Sequence, residues 1–353
     1  MEPYLPNYLK GKNRRLVFDL LRERGQMSRA EITRDTGMSF PTAMKVVDAF
    51  LEKGLLVELD ETGPAAGAGR KGRLLRFEPG AYRAVGVECE GRFARVGLAD
   101  MAGGVQARET IELGDFARTR DLSPLAAAIV SYAAMDIQQP TSFAQVFPAF
   151  WREVELPVYL ENDANLACEG EAFLRRGAGG AANMLYLSIG SGCGGAVRLD
   201  GKLRRGARCR AGEVGAMLLQ PALGAPGRSA ARETLEDAVC LAALERRFGA
   251  ALRDGAQPGE ASAQAMRDYL CGPLSGAVYS LVMTLDVELC VLAGIVPGAL
   301  GMQLCTQVSE ALRAALPEST PVRVEPSVSA DAGVIGAAAT VFERSLDALL
   351  GSG

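Results

Sequence analysis

Two carboxylates beside turns are the residues of this chain best suited to chemistry. Asp163 lies in Glu161-Asn-Asp-Ala-Asn165, where a strand pattern ends and a helix pattern begins. Glu213 lies in Ala211-Gly-Glu-Val-Gly215. A carboxylate can accept several O–H groups of a polyol, or take a proton from one of them as a general base. Asp163 could equally cap the helix that follows it, so both interpretations stay open at this point.

A glycine-rich turn, Ser188-Ile-Gly-Ser-Gly-Cys-Gly-Gly-Ala196, follows one strand pattern and leads into another. Such a turn exposes backbone N–H groups that can hold an anion or a polar ligand. On its own it is more often a tight hairpin. Its function therefore depends on the elements that the fold places beside it.

The N-terminal elements include three helix patterns. Apolar residues recur at helical spacing over 13–24, and Gly25 ends that helix. Ser28-Arg-Ala-Glu31 is a capping box, which satisfies two backbone N–H groups at the start of a short helix. After a turn, Ser39-Phe-Pro-Thr42 begins a third helix that Gly54 ends. This order predicts a helix-turn-helix.

Two strand patterns, 55–59 and 73–77, flank a glycine-rich basic segment at 63–72, which predicts a hairpin or wing. A winged helix-turn-helix would place the helix from Thr42 to Lys53 in the major groove of DNA. The alternative is a small helical dimerisation domain with a solvated basic loop. The candidate DNA contacts are Ser39, Phe40, Thr42 and Lys45 on the helix, and Arg70, Lys71 and Arg73 on the wing, toward phosphates or the minor groove.

Composition excludes several kinds of site. Of the 353 residues, 48% are hydrophobic and 23% are charged, the balance of folded domains. The chain has no histidine, which excludes Ser-His-Asp and Cys-His nucleophiles and His-ligated metals. The eight cysteines never form a C-x-x-C pair and predict reduced core thiols. We expect neither a metal nor a cofactor.

The distribution of charge and hydropathy predicts which part of the chain meets a polyanion and in which compartment the protein lies. Residues 1–80 hold fourteen Lys and Arg against eleven Asp and Glu, whereas the remainder is net acidic. A polyanion should therefore meet the N-terminal part, and the first domain boundary is expected near residue 80. No apolar run approaches the ~20 residues of a membrane span, and residues 1–12 lack the apolar core of a signal peptide. We expect a cytoplasmic protein with no membrane contact.

From residue 84 onward, short strand patterns alternate with alanine-rich helix patterns, which predicts an α/β protein. The predicted strands are 84–89, 93–99, 157–160, 183–189 and 287–292, and the predicted helices are 122–135, 164–175, 231–253 and 330–350.

Five segments of this part carry a family resemblance. They are Glu161-Asn-Asp-Ala-Asn165, Ser188-Ile-Gly-Ser-Gly-Cys-Gly-Gly195, Asp200-Gly-Lys202, Ala211-Gly-Glu-Val-Gly215 and Asp331-Ala-Gly-Val-Ile-Gly-Ala-Ala338. In order and spacing they resemble the ROK family of sugar kinases and sugar-responsive repressors, including its xylose and N-acetylglucosamine repressors. The N-terminal part, with Gly69-Arg-Lys-Gly-Arg73, is similar to the winged helix of the repressor branch.

The resemblance implies a winged helix-turn-helix in residues 1–80 and an actin-like ATPase fold of two α/β lobes in 81–353. The small lobe would comprise 81–162 with the C-terminal helix 330–350, and the large lobe would comprise 163–329. A dimer or tetramer is implied, with a sugar or sugar phosphate in the cleft and Asp163 at the position of the family's base. The implied ligand-binding residues are Asn162, Asp163, Glu213, Gly190 and Gly192.

Three departures from the family pattern bear on activity. Glu90 and Arg92 stand in the loop where the kinases have glycine and threonine for the ATP phosphates, and a carboxylate there would repel phosphate oxygens. Ala216 replaces the histidine of the family's zinc motif, and 227–236 contains no cysteine, so zinc is not expected. Between 132 and 156, we expect the strand and the Pro-Gly turn that the family has in its small lobe to be deleted.

The sequence therefore predicts a DNA-binding transcriptional repressor that is not an enzyme. It would bind a palindromic operator in double-stranded DNA as a homo-oligomer and respond to a sugar or sugar phosphate. One alternative is an ATP-dependent sugar kinase with Asp163 as base. Another is a ligand-independent DNA-binding protein whose C-terminal part only oligomerises, with Asp163 and Glu213 as inherited cap and turn residues.

Overall fold

The computed structural model describes residues 5–62, 73–90, 93–112, 159, 161–176, 180–219, 233–249, 252 and 258–349. The predicted wing tip at 63–72, the loop residues 91–92, the predicted helix at 122–135 and the expected deletion at 132–156 lie outside these residues. The predicted strand at 157–160 also lies outside them, except for Tyr159. The chain divides into two compact units, unit 1 with residues 1–87, 95–160 and 337–353, and unit 2 with residues 88–94 and 161–336. The predicted boundary near residue 80 stays a prediction.

Unit 1 begins with three helices and a small antiparallel sheet. Strand β3 lies between β1 and β2, so the predicted hairpin gains a third strand from the segment before the second helix. The first helix begins earlier than the predicted residue 13. The elements are α1 (Leu5–Arg24), β1 (Gln26–Ser28), α2 (Arg29–Thr36), α3 (Phe40–Glu52), β2 (Leu56–Thr62) and β3 (Arg73–Phe77).

Local rules explain these helix boundaries. The predicted capping box is present, since the Ser28 backbone N–H donates to the Glu31 carboxylate over 2.8 Å and the Glu31 N–H donates to the Ser28 hydroxyl over 3.3 Å. Gly37 ends α2 in the left-handed conformation with φ of 66°. Pro41 stands in the first turn of α3, where its missing N–H costs nothing.

The core of unit 1 joins these helices to the end of the chain. Phe18 of α1 packs edge to face on Phe77 of β3, with ring centroids 5.6 Å apart. Phe342 and Leu346 belong to the same buried cluster, and Arg15 of α1 forms an ion pair with Glu343. A second three-stranded sheet has the order β4-β5-β6. The remaining elements are β4 (Arg83–Glu90), β5 (Phe93–Asp100), β6 (Val105–Glu112) and the C-terminal helix α10 (Ala332–Leu349).

Unit 2 is built on a five-stranded sheet in the order β11-β10-β7-β8-β9. β10 runs parallel to both of its neighbours, β7 and β11. β8 runs antiparallel to both of its neighbours, β7 and β9. Every residue of β10 is buried, as expected for a strand covered on both faces. The elements are α4 (Asp163–Leu174), β7 (Met184–Ile189), β8 (Cys193–Leu199), β9 (Lys202–Arg204), α5 (Leu235–Val239), α6 (Leu241–Phe248), α7 (Glu260–Leu285), β10 (Leu289–Ala293), α8 (Ile295–Leu300), α9 (Met302–Ala315) and β11 (Arg323–Pro326).

The single helix predicted over 231–253 is wrong. The structure has two short helices, because Cys240 is extended with φ of −68° and ψ of 161°. Leu241 N–H donates to the Gly190 carbonyl over 2.8 Å, so a tertiary bond starts the second helix. The long helix α7, which contains Pro273, was not among the predicted helices. Among the described residues, no helix is long and apolar enough to cross a bilayer.

Candidate functional site

The first turn of α3 presents polar and apolar groups to solvent. Phe40 is 56% exposed, and Lys45 is exposed one turn further on. The Ser39 side chain makes no capping bond to the helix; its hydroxyl lies 2.8 Å from the Thr42 hydroxyl. An aromatic ring, a hydroxyl pair and one ammonium group therefore share this end of the helix.

Arginines around the hairpin are partly neutralised by Glu58 of β2. Glu58 accepts from Arg29 over 2.5 Å and from Arg73 over 3.5 Å. The hydrogen bond from Arg29 and the positive charges of Arg29 and Arg73 lower the pKa of the Glu58 carboxyl. The predicted wing contact Arg73 is exposed but paired, whereas Arg70 and Lys71 lie outside the described residues.

The start of α4 separates the two roles considered for Asp163. Asn162 is the N-cap, and its side-chain oxygen accepts from the Asn165 N–H over 3.2 Å. Asp163 is the first helical residue and is exposed, with Oδ1 accepting from the Ala164 N–H over 2.8 Å. Oδ2 of Asp163 makes no hydrogen bond to a described residue. Capping therefore falls to Asn162, and the Asp163 carboxylate faces solvent.

Glu161 fixes the residues around Asp163, a role that the sequence did not reveal. Its carboxylate accepts from the Asn165 side chain over 2.9 Å and from Arg205 over 2.6 Å. Burial tends to raise the pKa of Glu161, but the hydrogen bonds from Asn165, Arg205 and the Asn162 N–H lower it overall. Glu161 therefore stays ionised and ties the segment before α4 to the loop after β9.

Close glycine packing brings Glu213 to the same region. A β-carbon on Gly195 would stand 2.7 Å from Val214 Cγ2, and one on Gly194 would lie 3.6 Å from the Ala164 β-carbon. The turn that carries Glu213 thus packs against the start of β8. The start of β8 in turn packs against α4. Glu213 is exposed at the beginning of a one-turn 3-10 helix, Val214–Ala216.

The glycine turn between β7 and β8 is closed by internal hydrogen bonds. Gly190 N–H donates to the Gly192 carbonyl over 2.9 Å, and Cys193 N–H donates to Glu236 Oε2 over 2.9 Å. Glu236 comes from α5, and sequence reasoning missed it because the two residues lie 43 positions apart. A carboxylate therefore stands against this turn beside Gly192. The segments of Asp163, Gly192, Glu213 and Glu236 converge within unit 2.

The segment leading into α10 is anchored by a buried charge network. Glu171 is fully buried and accepts from Arg175 over 2.8 Å and from the Val328 N–H over 3.0 Å. Arg175 also donates to the Pro326 carbonyl over 2.7 Å. Further along, a β-carbon on Gly333 would lie 2.6 Å from Glu88 Oε1. These contacts fix the course of the motif 331–338.

The described residues contain no cluster of metal ligands, and the Cys193 thiol beside the glycine turn is not ionised. Burial raises the pKa of Cys193 to about 12, which keeps it a neutral thiol. Cys209 is exposed, so the prediction that the cysteines are core thiols is wrong there, because it lies in a turn with φ of 53°. No group of three or more His, Cys, Asp or Glu side chains that could hold a metal occurs in the described ranges.

Comparisons with known proteins agree with the resemblance. The ROK family model matches residues 137–344. A glucokinase from Halalkalibacterium halodurans is 40% identical over 96 residues, which cover 26% of this chain and only 28% of that relative. A xylose repressor from Bacillus subtilis is 24% identical over 249 residues, which cover 60% of this chain and 62% of the repressor.

A solved structure matches almost from end to end. A ROK family transcriptional regulator, a homologue of the E. coli MLC protein, superimposes with a TM-score of 0.72 at 17% identity, covering 97% of this chain and 98% of that one. At this identity the match shows the fold alone. The expected α/β fold of the actin-like ATPase type is confirmed, and the proteins matched include both kinases and repressors.

Proposed function

The chain belongs to the ROK family, and from that premise we propose that it is a DNA-binding transcriptional repressor. The observation that carries the proposal is the module formed by α1 to β3. Three helices followed by a hairpin have the order of a winged helix-turn-helix, with α3 as the recognition helix. The exposed Phe40 and Lys45 and the half-buried Thr42 would meet base edges, with Ser39 beside them.

The wing would contact the backbone of DNA. Arg70, Lys71 and Arg73 would bind phosphates or enter the minor groove, with the Arg73 charge shared between DNA and Glu58. Because recognition of this kind is strengthened by two-fold symmetry, the repressor would act as a dimer or tetramer on a palindromic operator.

The convergent residues of unit 2 would hold a sugar effector. Carboxylates suit a polyol because each accepts several O–H groups. Asp163 and Glu213 would accept sugar hydroxyls, Asn162 would orient the start of α4, and Gly190 and Gly192 would shape the turn beside them. A sugar that binds the low-affinity form better by a few kcal/mol would release the operator.

A sugar kinase is the second candidate, favoured by the 40% identity to a glucokinase over 96 residues. Asp163 would then act as the base, since its carboxylate faces solvent at the helix start. Glu90, at the position where the kinases have glycine, would repel the phosphates of ATP and argues against ATP binding. A regulator that ignores ligands is the third candidate.

Fluorescence anisotropy separates these functions. Purified full-length protein is titrated against labelled duplex from upstream of its own gene and against a scrambled duplex, and sugars are then added to any complex. Specific binding released by a sugar supports the repressor; specific binding that ignores every sugar supports the ligand-independent regulator. Absence of specific binding, together with ATP-dependent sugar phosphorylation, would replace the proposal by the kinase.

Variants test the docking. Thr42→Ala and Lys45→Ala should change sequence preference, whereas Arg70→Ala and Arg73→Ala should weaken binding to all duplexes and flatten its salt dependence. Arg246→Gln, at an exposed position of α6, is the matched control for loss of a positive charge. Unchanged DNA affinity in all four variants would refute the docking.

A further inference from the structure

The end of β9 and the loop that follows it are strongly basic. Arg204, Arg205, Arg208 and Arg210 occur within seven residues, with no acidic residue among them. Two of these arginines pair with other groups of this chain. Arg204 binds Asp200 over 2.7 Å and the Leu199 carbonyl over 3.0 Å, and Arg205 binds Glu161 over 2.6 Å.

Arg208 and Arg210 are exposed, and neither guanidinium makes an ion pair or hydrogen bond with a described residue. An arginine that carries a structural role usually has a carboxylate or carbonyl partner, as Arg204 and Arg205 do. The two remaining guanidinium groups therefore leave ten N–H donors in total available to a bound ligand.

This loop is anchored at both ends to the candidate sugar site. At its start, the Arg205 ion pair joins it to Glu161, two residues before Asp163. Inside it, Ala211 N–H donates to the Arg205 carbonyl over 3.1 Å, which closes the loop. At its end, Glu213 N–H donates to the Arg210 carbonyl over 3.3 Å. Arg210 therefore lies three residues from Glu213, in a loop whose other end touches the Asp163 segment.

Carboxylates and guanidinium groups select different parts of a ligand. Asp163 and Glu213 accept hydroxyl protons and repel a phosphoryl group, whereas a guanidinium binds two phosphoryl oxygens at once. We propose that the effector is a phosphorylated sugar, with its phosphoryl group bound by Arg208 and Arg210 and its hydroxyls bound by Asp163 and Glu213. This assignment rests on the proposed function of the same site as an effector site.

Calorimetry of the full chain in the absence of DNA tests the assignment. The probes are glucose, glucose 6-phosphate, N-acetylglucosamine, N-acetylglucosamine 6-phosphate, glucuronate and inorganic phosphate. At least one sugar phosphate should bind about tenfold more tightly than its neutral sugar, because two charge-assisted contacts are added. Inorganic phosphate should bind weakly, and glucuronate should gain less than the phosphate ester.

Charge-neutral variants locate the contact. The double variant Arg208→Gln/Arg210→Gln should lose the gain of the phosphate ester and keep the affinity for the neutral sugar. The control Arg246→Gln/Arg313→Gln removes the same charge from exposed positions of α6 and α9 and should behave as wild type. Asp163→Asn should weaken both ligands.

Several results would overturn the assignment. They are equal affinity for each sugar and its phosphate, an equal gain for glucuronate, an unchanged gain in the double arginine variant, and absence of binding by every probe. Operator binding by the same preparation is measured separately. Loss of the phosphate assignment with intact DNA binding is thereby distinguished from failure of the proposed repressor.

Discussion

Gly170 of α4 and Gly336 of α10 pack backbone against backbone. A β-carbon on Gly336 would stand 2.8 Å from the Gly170 nitrogen, and one on Gly170 would stand 3.0 Å from the Gly336 nitrogen. The Leu166 and Ala332 carbonyl oxygens would be closer still. Because the obstructing atoms belong to helix backbone, neither site can yield by rotating a side chain.

Gly336→Ala is therefore expected to destabilise unit 2 by about 1–3 kcal/mol, the usual cost of overpacking. Thermal unfolding followed by circular dichroism should show a lower midpoint. The control is Gly276→Ala in α7, where a β-carbon meets nothing within 4 Å. That variant should be neutral or more stable by about 0.4–1 kcal/mol. Equal midpoints for the two variants would contradict the packing.

Glu58→Gln should strengthen DNA binding without regard to sequence. The change frees Arg29 and Arg73 from their shared carboxylate, so both can bind phosphates. Each added phosphate contact should steepen the slope of log K against log salt by about 0.9. Anisotropy at several salt concentrations measures that slope. Asp60→Asn on the same strand removes an exposed carboxylate that has no ion pair with a described residue, and should leave the slope unchanged.

Phe40 should read thymine methyl groups. Its ring is 56% exposed at the start of α3, the proposed recognition helix, where an apolar contact to the C5-methyl is the interaction open to it. Replacing the contacted thymine by deoxyuridine should weaken wild-type binding about fourfold, as expected for ~0.8 kcal/mol per buried methyl group. Phe40→Ala should bind both duplexes equally. A wild-type protein indifferent to deoxyuridine at every operator thymine would remove Phe40 from the base contacts.

The sequence predicted features governed by neighbours along the chain. The capping box of Ser28 and Glu31, the proline in the first turn of α3 and the strand before Gly190 all follow from local backbone chemistry. The family resemblance then identified Asp163 and Glu213 as candidate ligand-binding residues, and that role stays a prediction. The structure shows that their segments lie near each other.

Features set by distant partners could not be predicted in this way. The break at Cys240 depends on the Leu241 N–H reaching the Gly190 carbonyl, and the closed glycine turn depends on Glu236. The ion pair of Arg205 with Glu161 spans 44 positions. Propensity carries no information about such pairings, because they arise only when the sheet of unit 2 is assembled.

Glu31→Gln should destabilise unit 1 at neutral pH and much less in acid. Hydrogen bonds from the Ser28 N–H and hydroxyl lower the pKa of Glu31 in the folded state. The carboxylate therefore contributes stability above the pKa of an unfolded glutamate, about 4.3, and loses it as the pH falls through the lower folded value. Urea unfolding at pH 7 and pH 3 measures the difference from wild type, which should shrink in acid. Glu23→Gln, exposed on α1, should show no such change.

Asp163→Asn should abolish the sugar response and spare DNA binding. The amide keeps the size of the side chain at the start of α4, and Asn162 keeps the cap, so the helix is preserved. Loss of the charged acceptor removes about 1.5–3 kcal/mol per hydroxyl bond, or roughly 10- to 100-fold in sugar affinity. Asp286→Asn is the matched control, because it lies exposed at the end of α7 with φ of 52°, a conformation that asparagine adopts readily. Operator release by sugar, followed by anisotropy, should persist in the control and vanish in Asp163→Asn; a normal response in both variants would leave the carboxylate without a role in the site.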